Sequence, residues 1–445
     1  MHHGLKGSVH GELAATMPLV RGLTGVPPER SVPTTQLERI PALDILRGLA
    51  LLGMFLVHFN MYEATPLGTE PGPIAAFLER FIGLFVEERF YGIFGILFGV
   101  GFAVQLERAT ARGASFVSRY FRRLAMVAVF GFIAEGVFGY NVLIGYAMWG
   151  VPLLLVNRLP MRALVALLVL CTAARPIVSI TRLAIANTKP GGVQQFTERE
   201  RKQWTAFRAG RDSTRAAEQS ERWRTVVAAR VKFMPRFHRQ WNLMPNGTFI
   251  LLLMGVISWR LGLLRKPAEH RRMIMALAVF GAASTLLATF VLPIGGTPAG
   301  AGPPPGNPVW NAFLMFARYG FQLFRHQWLT FTYMGVILLL VARGPHWVRR
   351  LSPLGWAGQM ALTNYMTQVI LLDTLFTPHG FGMKIPAVLV FPAAIALFVG
   401  QVFFSRWWLA RFTQGPLEWV LRSVTNWQVP PLRRVVPVTT TALAA

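Results

Sequence analysis

The chain runs to 445 residues, 53% of them hydrophobic and 14% charged, with a mean hydropathy of +0.42, which excludes ordinary soluble globular usage. Its 45 Lys and Arg against 19 Asp and Glu leave a formal charge of +26. The basic residues stand between apolar runs and no nucleic-acid module is present, so lipid headgroups and loop topology account for the excess and nucleic acid is not an expected partner. Cys171 is the single cysteine, which excludes an intrachain disulfide and a cysteine-held zinc or iron–sulfur centre.

Residues 1–38 mix Gly, Pro, Thr and charge and read as a flexible cytoplasmic tail, with His2 and His3 as tail residues rather than metal ligands. Beyond them, apolar runs predict about ten spans, at 42–62, 89–106, 120–138, 142–157, 161–183, 246–264, 272–293, 325–343, 354–376 and 385–405. The expected fold is all-α, a polytopic integral membrane helix bundle with about ten transmembrane helices. It divides into an N-terminal transmembrane half over 39–185, a basic, partly helical extracytoplasmic loop over 186–245, a C-terminal transmembrane half over 246–405, and a cytoplasmic amphipathic helix and tail over 406–445.

Threading the spans alternately puts "QLERATARGASFVSRYFRR", "RKPAEHRR", "RGPHWVRR" and the segment beginning "SRWWLARF" on one side. Their Arg and Lys content makes that side cytoplasmic, with both termini inside a plasma (inner) membrane. Glu63, Glu70, Glu79, Glu87 and Glu88 then face out, as does the flexible loop from Gly295 to Pro308. The loop 186–245 is basic yet outside, which its length permits. Trp204, Phe207, Trp223 and Val227 among its charges predict helices lying on the membrane or over the bundle.

The first span, "LDILRGLALLGMFLVHFNMYE", carries Asp44, Arg47 and His58. At about 100° and 1.5 Å per residue, Arg47 and His58 share a helix face while standing about 16 Å apart along it. Asp44 lies three residues before Arg47, close enough to pair with and orient its guanidinium. Ionisable groups in a span cost several kcal/mol unless paired or turned to an internal cavity, so this face is expected to look into the bundle. Two readings of Asp44 and Arg47 stay open: an anchor whose Arg reaches headgroups, and a ligand-holding pair.

Further polar residues fall inside or beside other spans. Glu135 needs a partner or a raised pKa in its apolar setting, with Arg89 or a loop cation as candidate partner and proton handling near His58 a second role. Asn364, Tyr365 and Gln368 share the ninth span, either bonding helices together or lining a ligand path. Arg89, Arg318 and His326 read as interface anchors or partners for substrate charge. Asp373 is expected to reach water. In "GPLEWVLR", Glu418 and Arg422 are spaced for an i,i+4 pair on a helix along the inner membrane surface.

The wording of several stretches is that of a known group. "LDILRGLALLGMFLVH" resembles the Arg-x10-His helix of transmembrane acyltransferases, at Arg47 and His58. Together with "IFGILFGVGF", "VLIGYAMWG", "GQMALTNYMTQ" and "RFTQGPLEWVLR" it resembles the YeiB-like family, domain-of-unknown-function family 418, over about Leu43 to Arg422. The chain departs from the usual pattern in having Glu135 before Gly136, and Asn141 near the position of an expected acid. The resemblance implies acyl transfer from a cytoplasmic acyl-CoA-like donor to a hydroxyl or amine of an envelope glycan, lipid or small molecule. In that scheme Arg47, oriented by Asp44, meets donor phosphate or the thioester, His58 is the general base, and Glu135 orients it. Arg89, Asn141, Tyr146, Asn364, Tyr365 and Gln368 are the candidate substrate-binding residues. No bound cofactor, metal or nucleotide loop is expected. Two other classes fit the same residues: a transporter of a small anionic or amphipathic solute, and a non-enzymatic membrane scaffold.

Overall fold

A computed structural model describes residues 39–60, 72–113, 115–140, 142–242, 247–287 and 328–434. The predicted tail 1–38, Glu63, Glu70, Asn141, the Gly295–Pro308 loop, Arg318 and His326 lie outside the described residues. The regular elements described are helices: α1 (Pro41–Asn60), α2 (Pro73–Phe85), α3 (Arg89–Ala111), α4 (Val117–Phe132), α5 (Leu143–Val156), α6 (Met161–Asn187), α7 (Gly192–Ala217), α8 (Trp223–Asn242), α9 (Gly247–Arg260) and α10 (Arg271–Leu286). They continue with α11 (Trp328–Ala342), α12 (Pro345–Arg350), α13 (Ser352–Gln359), α14 (Ala361–Phe376), α15 (Ala387–Arg411) and α16 (Pro416–Asn426).

Three stretches are long and apolar enough to cross a membrane: α1, the run Ala76–Ala111 spanning α2 and α3, and Val388–Arg411 of α15. Leu143–Val156, Met161–Ala174, Gly247–Arg260 and Trp328–Ala342 are shorter apolar helices. The all-helical expectation therefore holds, while the count of ten full crossings does not follow from the described helices. The expected ninth span is broken at Met360 into α13 and α14. The expected third span opens from α4 into a π-helical turn, Ile133–Val137. Large apolar side chains face outward at Val169 and Leu170 of α6, Val279 and Phe280 of α10, and Phe403 and Trp407 of α15. Such a surface suits hydrocarbon rather than water, and the chain reads as a membrane protein.

Helix α1 is the hub of the bundle, packed by α13, α3, α15 and α14. Its Leu46, Ala50, Leu51 and Phe55 have no exposed surface. Its closest neighbour is α13, because both helices carry glycine where they cross. A Cβ on Gly48 would fall 1.9 Å from the Leu354 carbonyl oxygen, and one on Gly358 would fall 1.8 Å from that of Asp44. Backbones approach this closely only without side chains between them. Gly99 and Gly255 make the equivalent crossing of α3 with α9.

The loop 186–245 folds into the antiparallel pair α7 and α8, zipped by Trp204, Phe207 and Phe233 at ring distances of 5.9 and 5.5 Å. Helix α7 buries none of its residues, whereas α8 lies against the π turn. Val226, Arg230 and Met234 are its buried residues, four apart along one side.

Candidate functional site

Two groups of polar residues occupy opposite ends of α1. At the first, Arg47 donates to the Asp44 carboxylate at 2.7 Å, as the spacing predicts, with about a third of the Arg47 side chain exposed (32%). Glu418 does not pair with Arg422 across a turn. Its carboxylate instead accepts from the Leu362 and Thr363 amides at 2.6 and 3.1 Å and from the Thr363 hydroxyl at 2.6 Å, closing the N-terminus of α14. The break at Met360 exposes those amides, and a carboxylate is a strong acceptor for them. Helix α16 accordingly packs on α4 and α14.

At the other end His58 is buried, its ring 4.3 Å from Tyr140 and 6.3 Å from Tyr365. Its Nδ1 and the Tyr365 hydroxyl have no hydrogen-bond partner among the described residues, although both atoms are shut away from solvent. A buried polar atom left so costs about 1–3 kcal/mol unless something else satisfies it. Two such atoms on neighbouring side chains make this the candidate site. Tyr146 borders the same region: it stacks on Tyr91 and Phe98 at 5.7 and 5.4 Å and donates to the Tyr91 carbonyl at 3.2 Å.

Glu135 sits in the π turn, where the widened coil carries it into the protein. Of the two ordinary partners expected, Arg89 or a loop cation, the loop supplies it: Glu135 bonds His238 of α8 at 2.8 Å. Its charge still reaches the Tyr365 hydroxyl. Arg89 is fully buried and donates to the Glu87 carbonyl, and its own carbonyl accepts from Thr330 at 2.8 Å, so it ties the start of α3 to α11. Asn364 donates to Ala357 and Ser405, both at 3.0 Å, and Gln368 donates to Gln401 at 2.8 Å. Those amide donors hold α14 to α13 and α15.

Asp373 does not reach water. It is buried between Arg230 at 3.2 Å and His379 at 2.9 Å. Arg230 also bonds Glu218 at 2.9 Å and the Val137 carbonyl, and its guanidinium lies on Gly139, whose φ of +83° and missing side chain leave the room. The two partners raise the Arg230 pKa against the opposing effect of burial. One guanidinium therefore fastens α8 to the π turn and to α14. Arg230, His238, Tyr140 and His379 escape sequence reading. A trace of the first two exists in "VVAARVKFMPRFH", where Val226, Arg230, Met234 and His238 recur every four residues through a basic helix.

Comparison with known proteins divides the chain at this site. Residues 258–428 match the family described as protein of unknown function (DUF418), and residues 39–194 match the heparan-alpha-glucosaminide N-acetyltransferase catalytic family. The YeiB protein of Escherichia coli is 38% identical over 68 residues, 15% of this chain and 18% of its own.

These matches support the YeiB-like family that the motifs resemble.

Two further relatives cover far more of the chain. YxaH of Bacillus subtilis is 28% identical over 420 residues, 89% of this chain and 97% of its own. A 39.9 kDa protein from the amylase 3′ region of Bacillus acidopullulyticus is 29% identical over 404 residues, 87% and 94% of the two chains. No solved structure matches. His58, Glu135, Tyr140 and Tyr146 come from the acetyltransferase-like region, and Tyr365 and Asp373 from the DUF418 region. Arg230 and His238 lie on the stretch between the two matches, and they bond residues of both, at Asp373 and Glu135.

Proposed function

We propose that this protein is a membrane acyltransferase that moves an acyl group from an acyl-CoA-like donor to a hydroxyl or amine of an envelope glycan, lipid or small molecule. The observation that carries this reading is the buried His58 imidazole with the Tyr365 ring 6.3 Å away, each with a buried polar atom lacking a partner among the described residues, in a chain whose residues 39–194 match an N-acetyltransferase catalytic family.

The chemistry follows from what those groups can do. Neutral imidazole accepts the acceptor's proton as its oxygen or nitrogen attacks the thioester carbonyl. Tyr365 donates to the oxyanion that develops on the carbonyl oxygen. Collapse expels the thiolate, which takes the proton back from His58, so the imidazole is regenerated and the charge balances. Tyr140 packs against the imidazole ring and restricts its orientation. Glu135, hydrogen-bonded to His238, acts on Tyr365 rather than orienting His58.

The donor enters from the end that carries Arg47, which the basic connections make cytoplasmic in a plasma membrane, and the acceptor arrives from the His58 end. The test is incubation of purified protein in lipid nanodiscs with radiolabelled acetyl-CoA and an envelope extract. Label transferred by wild type and lost in folded His58→Ala supports the reading. No transfer with acetyl or longer acyl donors overturns it.

A further inference from the structure

The end of the bundle opposite His58 holds more positive charge than its carboxylates neutralise. Three arginines from three helices share this end: Arg47 of α1, Arg123 of α4 and Arg422 of α16, with α16 packed on α4 and the three charges within electrostatic reach of one another. Arg39 lies near Arg422 and donates to the Gln359 side chain and the Thr413 carbonyl. Asp44 answers Arg47 directly. The Glu418 carboxylate is occupied by the N-terminus of α14; burial pushes its pKa up, and its bonds to Thr363 and Leu362 pull it back.

Arg123 is the decisive member. Its Nε is buried and has no hydrogen-bond partner among the described residues. Its guanidinium stands 5.6 Å over the Phe98 ring and lies beside the bare Cα of Gly101. Exposure falls stepwise inward, from the exposed Arg422 through the partly exposed Arg47 to that shielded Nε. Phe98 in turn stacks on Tyr146, which interacts electrostatically with Tyr365 beside His58. An aromatic wall thus runs from the arginines toward the imidazole.

We propose that Arg47, Arg123 and Arg422 form a binding site for the phosphoryl oxyanions of a phosphate ester or diphosphate. Guanidinium is the side chain best matched to such groups, presenting forked N–H donors to paired oxygens. A dianion here supplies the countercharge that two carboxylates, one of them committed to a helix end, do not. The site stands on its own geometry. Its use as the grip on a phosphorylated acyl donor rests on the acyl-transfer reading, with the reacting end reaching about 16 Å along α1 to His58.

Two sources share this chemistry, a water-soluble phosphorylated nucleotide and an anionic lipid headgroup, and the experiment separates them. Full-length protein in phosphatidylcholine-only nanodiscs is titrated calorimetrically with adenosine 3′,5′-bisphosphate and with pyrophosphate, and its thermal midpoint is compared with that in phosphatidylglycerol nanodiscs. Wild type is expected to bind the bisphosphate, and Arg123→Gln and Arg422→Gln each to weaken it by about tenfold or more. Arg123→Lys should keep part of the affinity, and His58→Asn all of it. If Arg123→Gln does not fold, the surface change Arg422→Gln carries the test. Stabilisation by phosphatidylglycerol alone, lost in Arg422→Gln, keeps the site and assigns it to headgroups. Unchanged affinity in both arginine variants, or no response to either source, overturns it. Binding without any acyl transfer sinks the proposed activity and leaves this site standing.

Discussion

His58 and Tyr365 meet with their rings 6.3 Å apart and 61° inclined, one from the first helix and the other from a helix some three hundred residues later. If the pair does acyl transfer, Tyr365→Phe removes the oxyanion donor alone. The expected loss is about 10²–10³ in kcat. Substituting His58 by Ala should cost a similar or larger factor by removing the base. Initial rates with unchanged thermal midpoints check both; a Tyr365→Phe variant at wild-type rate would count against its role.

Arg230 offers a test of stability in place of activity. Changing it to Met leaves Asp373 and the Val137 carbonyl buried without their guanidinium, which should cost about 3–5 kcal/mol. The double variant Arg230→Met/Asp373→Asn removes the stranded charge and should recover part of that loss. Thermal unfolding of the three proteins in one detergent reads the difference.

Glu418 closes α14, so Glu418→Ala should cost about 0.5–2 kcal/mol while Glu418→Gln, which keeps an acceptor for the amides, should cost less. Its pKa is raised in the fold above the ordinary 4.5, chiefly by burial. The stability this shift contributes is therefore full below the unfolded value and is lost as pH rises through the folded one. The midpoint of wild type relative to Glu418→Gln should accordingly fall as pH climbs from about 4.5. A pH-independent difference would contradict that sign.

Gly358→Ala tests the crossing of α1 and α13. Its Cβ would fall 1.8 Å from the Asp44 carbonyl oxygen, so one helix must move. Overpacking of this kind costs about 1–3 kcal/mol or more. Because Asp44 orients Arg47, phosphate affinity should fall together with stability, whereas Gly72→Ala, with open space around it, should change neither.

Composition and periodicity were enough for an all-helical membrane protein, for the face shared by Arg47 and His58, and for the Asp44–Arg47 pair, because each depends on residues within a few turns of one helix. The family was equally legible, its motifs being local strings. Partner choice was not. Glu135 found His238 rather than Arg89, Asp373 found Arg230 and His379 rather than water, and Glu418 found the amides of α14 rather than Arg422. A charge in a low-dielectric interior bonds whichever opposite group the chain's return brings within reach, and that return is set by helix crossings such as Gly48 on Leu354. Local sequence determined which polar residues enter the bundle. Only the packing of distant helices decided which of them bond one another, and which, at His58, Tyr365 and Arg123, keep a buried polar atom without a partner among the described residues.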